Sequence, residues 1–109
     1  MTLQEQCKEN LKNSVIGIAE ELETLAGGDY EELAEYLEDV LDVEIKIDVN
    51  FRYRGVVLQL AFGGPNIYFN SKSGDVIGLW GCNQFTWRVK SFACDAVDDY
   101  YEDYYESCR

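Results

Sequence analysis

Carboxylate side chains at regular spacing are the feature of this sequence best suited to chemistry or binding. The chain has 109 residues, of which 21 are acidic and 9 are basic, so its formal net charge is −12. In one segment, acidic residues recur every three or four positions: Asp95, Asp98, Asp99, Glu102, Asp103 and Glu106. On a helix, carboxylates four residues apart lie about 6 Å apart along the axis. The spacing therefore predicts a rigid acidic face, with charges arranged much like the phosphates of a nucleic-acid strand.

A second acidic segment lies earlier in the chain and contains no basic residue. Its acids include Glu31, Glu35, Glu38, Asp39 and Asp42. Residues 1–42 hold twelve acidic and two basic residues, whereas residues 43–90 hold three acidic and six basic ones. An ordinary solvated helix mixes lysine with glutamate and gains stability from the pairs. Two interpretations stay open from the charge alone: a solvated surface, or a surface that binds the basic groove of a nucleic-acid-binding protein.

Tyrosines lie among the later carboxylates as two adjacent pairs, Tyr100-Tyr101 and Tyr104-Tyr105. Neighbouring residues on a helix point in different directions, so at least one tyrosine of each pair is expected to be incompletely buried. Exposed tyrosines are good interface anchors, because they offer a large contact area at a small entropy cost. We expect Tyr101 and Tyr105 to be such anchors. An aromatic layer packed at the edge of the core is the alternative.

The sequence contains no histidine, which removes Ser-His-Asp and Cys-His mechanisms and any zinc site with an imidazole ligand. The four cysteines are Cys7, Cys82, Cys94 and Cys108, and no pair has the two-residue gap of a zinc ribbon or a redox motif. We therefore expect reduced thiols, no structural metal and no cofactor. We also expect that the protein is not an enzyme.

Three further motifs resemble known sites but lack a necessary part. The segment 95–106 has acids at several ligand positions of an EF-hand loop, but Tyr100 stands where that loop needs glycine. Gly63-Gly64-Pro65 precedes a predicted strand, so no helix N-terminus follows it to hold a phosphate. Ser71-Lys72-Ser73 lies in a predicted turn, with nothing to bury the lysine and lower its pKa. Each motif is therefore interpreted as ordinary structure.

Apolar periodicity predicts two helices in the first part of the chain. Thr2 and Glu5 form a capping box ahead of apolar residues spaced three and four apart. That stripe comprises Leu3, Cys7, Leu11, Val15, Ile18, Leu22 and Leu25. Gly27-Gly28 ends the first helix, and Asp29 is a good N-cap for the second. The stripe of the second helix comprises Leu33, Leu37, Val40 and Leu41.

The apolar period changes from helical spacing to two near Asp42, which predicts strands. The first is half-buried, with these residues on its buried side: Val43, Ile45, Ile47 and Val49. Further strands are predicted at 53–62, from Ile67 and at 75–80. Residues 84–89 either extend the last of these or form a short fifth strand. The connecting turns are too short for helical crossovers, so the sheet should be an antiparallel meander.

A last helix is predicted from Ser91, taken as its cap. Its apolar stripe comprises Ala93, Ala96, Val97, Tyr100, Tyr104 and Cys108. The resulting order, ααββββα, predicts a single α+β domain over residues 1–109. The helices should pack on one face of a four- or five-stranded antiparallel sheet, giving two layers.

Part of the chain resembles proteins of mobile genetic elements. The run Gly63-Gly64-Pro65-Asn66-Ile67-Tyr68, followed by Ser73-Gly74-Asp75-Val76 and Trp80, is similar to small uncharacterised proteins from phages and mobile elements of Firmicutes. The run from Thr2 to Leu22 fits the same group, which implies no activity. In size, acidity and lack of catalytic motifs, the chain also resembles anti-CRISPR and anti-restriction inhibitors as a class. That resemblance is generic and implies no site residues.

These observations lead us to expect a phage-type inhibitor that acts in the cytoplasm of a host cell. Its partner would be a host nucleic-acid-binding protein with a basic groove, most of all a CRISPR–Cas nuclease complex. The negative charge disfavours direct binding of nucleic acid or of anionic membranes. No segment resembles a signal peptide or a membrane span. The alternative is an acidic adaptor or small subunit that binds another basic protein.

Overall fold

Three helices and five strands follow one another over residues 2–108, the part of the chain that the computed structural model describes, apart from the side chain of Gln4. The helices are α1 (Leu3–Ala26), α2 (Tyr30–Glu38) and α3 (Ser91–Ser107). The strands are β1 (Asp42–Ile47), β2 (Tyr53–Ala61), β3 (Asn66–Asn70), β4 (Asp75–Trp80) and β5 (Asn83–Arg88). The predicted α+β class is confirmed, and the last apolar segment forms a fifth strand. Among the described residues, no helix is long and apolar enough to span a bilayer.

A local side-chain cap begins α1, whereas α3 begins without one. The Thr2 side chain accepts a hydrogen bond from the Glu5 N–H while the Glu5 carboxylate accepts one from the Thr2 N–H, so the predicted capping box is present. α3 begins differently from the prediction, because its N-cap is Lys90 rather than Ser91 and no side chain caps it. Instead, the Lys90 N–H donates to the Glu23 carboxylate at 2.9 Å, which ties the start of α3 to α1.

The sheet is an antiparallel meander in the order β1-β2-β3-β4-β5, as the short turns predict. One cross-strand row shows how the helices cover one of its faces; it runs through Val43, Leu58, Phe69, Val76 and Trp87. The three central members are fully buried, whereas Val43 is 38% exposed and Trp87 41% exposed at the two edges. The core therefore lies under the middle of the sheet and thins out toward both edges.

α1 packs on β4 and β5, and a glycine sets how closely it approaches. Gly78 lies on the helix-covered face of β4. A Cβ atom there would overlap the Val15 side chain and lie 2.8 Å from Leu11 Cδ1. Leu11 and Val15 are both buried core residues, so they have little room to move. The absence of a side chain at Gly78 is what lets α1 lie directly on the sheet.

β1 is left largely uncovered, because α1 lies over β4 and β5 while α3 packs on β2. The alternation along β1 predicts a buried side, but Val43 is 38% and Ile47 44% exposed. Val49 lies beyond the end of the strand and is 92% exposed. The prediction of a half-buried strand is therefore wrong for most of β1, and only Ile45 packs against the core.

Replacing Gly78 with alanine should destabilise the domain by about 2–3 kcal/mol, because the added methyl group overpacks a rigid core. Gly17→Ala is the matched control. Gly17 lies in α1 with nothing within 4 Å of an added Cβ, so alanine should raise stability by up to about 1 kcal/mol through helix propensity. Urea unfolding of the two variants measures both effects. Equal stabilities would contradict the close packing of α1 on β4.

Candidate protein-binding surface

Five acidic residues of α3 are exposed and one is not. The exposed ones are Asp95, Asp99, Glu102, Asp103 and Glu106. Asp98 is part-buried, and its Oδ1 accepts a hydrogen bond of 2.7 Å from the Tyr53 hydroxyl and another of 2.7 Å from the Ser71 hydroxyl. The sequence places Asp98 with the solvent-facing acids, and that prediction is wrong. Its carboxylate faces the sheet, because the buried Ser71 and the half-buried Tyr53 supply it with two donors.

The Asp98 carboxylate anchors α3 to two strands at once. Ser71 follows β3 and is 4% exposed, and its Oγ also accepts a hydrogen bond of 2.9 Å from the Val56 N–H of β2. Tyr53 stands at the start of β2. Hydrogen bonds to a charged acceptor are stronger than those between neutral groups. This network therefore holds α3 at a defined rotation over the sheet.

The acidic residues of α2 that the sequence singles out, Glu31, Glu35 and Glu38, are all exposed. α2 lies beside α3, because the Tyr101 hydroxyl donates to the Leu37 carbonyl at 3.2 Å. The rings of Tyr30 and Tyr100 also meet, with centroids 6.3 Å apart. The two acidic helices therefore contribute to one continuous region of the surface.

Basic residues within 2–108 do not neutralise these helices. The ion pairs there join Arg54 to Asp48 at 2.8 Å, Arg88 to Asp75 at 3.4 Å and Lys46 to Glu44 at 3.7 Å, all outside the helices. The following helix carboxylates have no basic partner in this part of the chain: Glu31, Glu35, Glu38, Asp95, Asp99, Glu102 and Asp103. The charge imbalance seen in the sequence is therefore preserved on the folded surface.

The tyrosines near these acids are exposed in a different pattern from the predicted one. Tyr101 is 4% exposed, so it is a core residue and not an anchor for a partner. Tyr105 is only partly exposed, and its hydroxyl donates to the Phe51 carbonyl at 2.7 Å. Tyr104, placed by the sequence in the buried stripe, is 56% exposed, and Tyr30 is 57% exposed. With the half-buried Tyr100, these two form a tyrosine row between α2 and α3.

Sequence reasoning missed Tyr30, Tyr100 and Tyr104 as surface residues. Tyr104 follows Tyr100 by one helical turn, and both line a groove together with Leu37 of α2. The same one-turn spacing links Tyr101 to Tyr105, so the sequence holds two equivalent candidate pairs. Because the two spacings are equal, periodicity alone does not decide which pair faces solvent, and the sequence-based choice of Tyr101 and Tyr105 is wrong for Tyr101. We call the tyrosine row and the exposed acids of both helices the α2–α3 surface.

Burial keeps several tyrosines protonated and able to donate hydrogen bonds. It raises the pKa of Tyr36 to about 12, with the nearby Glu21 charge adding to the effect. Burial also raises the pKa of Tyr53, and the hydrogen bond to Asp98 raises it further. The pKa of Tyr101 is raised by burial as well. At neutral pH these hydroxyls are protonated, and those of Tyr53 and Tyr101 donate to Asp98 and to the Leu37 carbonyl. None of the three is poised to transfer a proton.

A polar cavity of about 490 Å³ lies between the first half of α3 and the sheet; its lining includes Arg54, Lys72, Arg88, Cys94 and Asp95. Burial and the charge of Asp98 raise the pKa of the Cys94 thiol, so it is protonated and weakly nucleophilic at neutral pH. Arg54 and Arg88 are already paired with carboxylates. The cavity thus has polar walls but no activated nucleophile.

Metal binding has no support among the residues described. In residues 2–108, no three or more Cys, Asp or Glu side chains are arranged to hold a metal ion. The acids with partial EF-hand spacing lie within the continuous helix α3, so no calcium-binding loop is present there. The four cysteines are free thiols, and Cys82 and Cys108 are exposed.

Replacing Asp98 with alanine should lower the free energy of unfolding by about 2–3 kcal/mol, because the buried Ser71 hydroxyl and the Tyr53 hydroxyl lose a charged acceptor. Asp98→Asn keeps one oxygen acceptor and should lose less. Asp99→Ala is the matched control, since it removes the same charge from an exposed neighbour and should change stability by less than about 0.5 kcal/mol. Urea unfolding measures all three variants. Similar losses for Asp98→Ala and Asp99→Ala would contradict the anchoring role.

Alkaline pH should destabilise the domain through its buried tyrosines. Folding raises the pKa of Tyr36, Tyr53 and Tyr101 above the usual value near 10, so their contribution to stability is complete below about pH 10 and is lost as the pH rises through the raised values. The free energy of unfolding should fall over that range, and ultraviolet absorbance should show a late tyrosinate step. Tyr36→Phe should remove part of that late step. A single ionisation step near pH 10 with constant stability would contradict the burial.

Comparison with known proteins adds no relative to this description. The chain matches no family model, and searches of curated proteins and of solved structures give no significant match. The α2–α3 surface is therefore the main basis for an argument about function. This surface combines negative charge with exposed tyrosines on two neighbouring helices.

Proposed function

We propose that this protein is a phage-type inhibitor that binds a nucleic-acid-handling effector of the host, with a CRISPR–Cas nuclease complex as the expected target. It acts in the host cytoplasm and occupies the site where the effector holds nucleic acid. The observation that carries the proposal is the α2–α3 surface. Two adjacent helices there expose carboxylates around a row of tyrosines, and seven of these carboxylates, those named above, have no basic partner within residues 2–108.

Repulsion between neighbouring carboxylates supports a binding role for this surface. Like charges one helical turn apart destabilise a helix by a few tenths of a kcal/mol per pair. On α3, Asp95, Asp99 and Asp103 stand four residues apart, and all three are exposed. A basic groove would relieve this repulsion on binding and would also steer the two proteins together at long range. A helix whose acids only faced solvent would gain stability from basic residues interspersed among them.

The tyrosine row gives the surface a means of short-range contact. Tyr30 and Tyr104 are more than half exposed and lie among acids of both helices. Partly buried aromatic anchors with a charged rim are the usual arrangement of an interaction hot spot. The carboxylates would then set the rate of encounter and the orientation, while the tyrosines hold the complex together. The protein needs no catalytic group or cofactor for this role.

Charge reversal on the α2–α3 surface tests the proposal directly. The variant is Glu35→Lys, Asp99→Lys and Glu102→Lys, which leaves the Asp98 anchor intact. The control carries the same charge change on α1, as Glu9→Lys, Glu20→Lys and Glu21→Lys, at positions that are also exposed. A panel of guide-loaded CRISPR nucleases is mixed with each protein, and the cleavage of target DNA is measured.

The wild type and the control should protect target DNA against at least one nuclease, and the α2–α3 variant should lose about 100-fold in affinity. Excess duplex DNA should compete, and binding should weaken as salt screens the charges. Tyr104→Ala should cost more affinity than any single acid. Unchanged inhibition by the α2–α3 variant would contradict the proposal. Binding that leaves cleavage intact and ignores excess DNA would instead indicate an acidic adaptor of another basic protein.

A further inference from the structure

The outer edge of β1 is a second surface, because no strand within residues 2–108 pairs with it. β1 pairs with β2 on one side and lies at the end of the sheet on the other. A strand in that position carries backbone N–H and C=O groups that point away from the sheet. Its side chains on the helix-side face, Val43 and Ile47, are 38% and 44% exposed. Both the backbone and the side chains of this edge are therefore available for contact.

An apolar groove runs alongside this edge. It has a volume of about 270 Å³ and is lined by Leu37, Glu38, Val43, Tyr100, Tyr101 and Tyr104. Beyond the end of β1, Val49 is 92% exposed and Phe51 is 62% exposed. Exposed apolar residues that are grouped in this way typically mark a site of protein interaction.

The usual protection of an edge strand is weak here. Natural edges are blunted by proline, by lysine, by bulges or by a covering helix. β1 contains no proline, and both its Lys46 and its register irregularity, between Lys46 and Ile47, lie at its C-terminal end. Residues 42–45 pair regularly with β2 and keep a regular outer edge. This stretch is therefore suited to receive another strand.

Charge on the other face of β1 specifies what kind of strand would fit. Asp42 and Glu44 lie on the face opposite Val43 and Ile45, because successive side chains alternate. Glu38 adds a carboxylate at the groove itself. An added strand would thus meet an apolar groove on one face and carboxylates on the other. Cross-strand pairs of opposite charge stabilise a sheet, whereas like charges destabilise it.

We propose that the β1 edge binds an extended segment of a partner protein in which apolar residues alternate with lysine or arginine. The apolar side chains enter the groove beside Tyr104, and the basic ones oppose Asp42 and Glu44. A second copy of this chain fits less well, because each copy carries a net charge of −12. Antiparallel self-pairing centred on Glu44 would also place two glutamates opposite each other. This contact goes beyond the proposed function and does not depend on which effector is the target.

Synthetic peptides test the proposal without a known partner. The probe is a peptide of about eight residues in which lysine and valine alternate, the length of an ordinary strand. A block peptide of the same composition, with all lysines first, has the same charge but no alternating faces. A third peptide has alternating residues N-methylated, so it cannot form the full set of strand hydrogen bonds. Binding is measured by calorimetry, and contact with β1 by amide hydrogen exchange.

The alternating peptide should bind about tenfold or more tightly than either control peptide and should slow amide exchange in β1. Val43→Lys should reduce this binding about tenfold, because it puts a charge into the groove. Thr86→Lys, which adds the same charge at an exposed position of the opposite edge strand β5, should leave binding unchanged.

Equal binding of the alternating and block peptides, or no effect of Val43→Lys, would overturn the proposal in favour of unspecific charge attraction. A chain that dimerises without peptide and protects its own β1 amides would overturn it in favour of a second copy. The Glu35, Asp99 and Glu102 reversals do not touch β1, so they should preserve the preference for the alternating peptide. Failure of the inhibitor proposal and failure of this one can therefore be told apart.

Discussion

The rotation of α3 about its axis is set by the hydrogen bonds that Asp98 accepts from Tyr53 and Ser71, since these hold one side of the helix against β2 and β3. With that side fixed, Val97 and Tyr101 enter the core, and Tyr104 turns toward solvent. The remaining acids of α3 are then left exposed. A polar contact at the rim of the core thus decides which residues of this helix are available to a partner.

The placement of the helices over the sheet decides where the second surface lies. Gly78 allows α1 to lie directly on β4, and α1 therefore covers the β4–β5 side of the sheet. α3 covers β2, and β1 is left as an open edge. The apolar groove at β1 adjoins the tyrosine row, since Tyr100 and Tyr104 belong to both. The acidic α2–α3 surface and the apolar groove at β1 are therefore neighbouring parts of the molecule.

Much of the fold could be predicted because its signals are local. The Thr2–Glu5 capping box satisfies amide groups within one helical turn. The strand from Asp75 to Trp80 has the predicted bounds, and β2 differs by one residue at its end. The short turns permit only antiparallel neighbours, which yields the meander. The exposure of the apolar face of β1 could not be predicted. Alternation distinguishes the two faces of a strand, but it does not show whether the strand lies at the centre or at the edge of the sheet.

Most of the charge of the candidate surface was determined by the sequence alone, since carboxylates are rarely buried without a partner and no basic residues are interspersed among them. Asp98 is the exception, because Tyr53 and Ser71 donate hydrogen bonds to it. Which tyrosines join them was decided only by the tertiary structure. Tyr100 with Tyr104 and Tyr101 with Tyr105 have the same one-turn spacing, so helical periodicity does not distinguish them. The Leu37 carbonyl accepts a hydrogen bond from the Tyr101 hydroxyl, and Asp98 holds α3 on the sheet by accepting one from the Ser71 hydroxyl. Leu37 lies 64 residues from Tyr101 in the sequence, and Ser71 lies 27 residues from Asp98, so only folding brings these partners together.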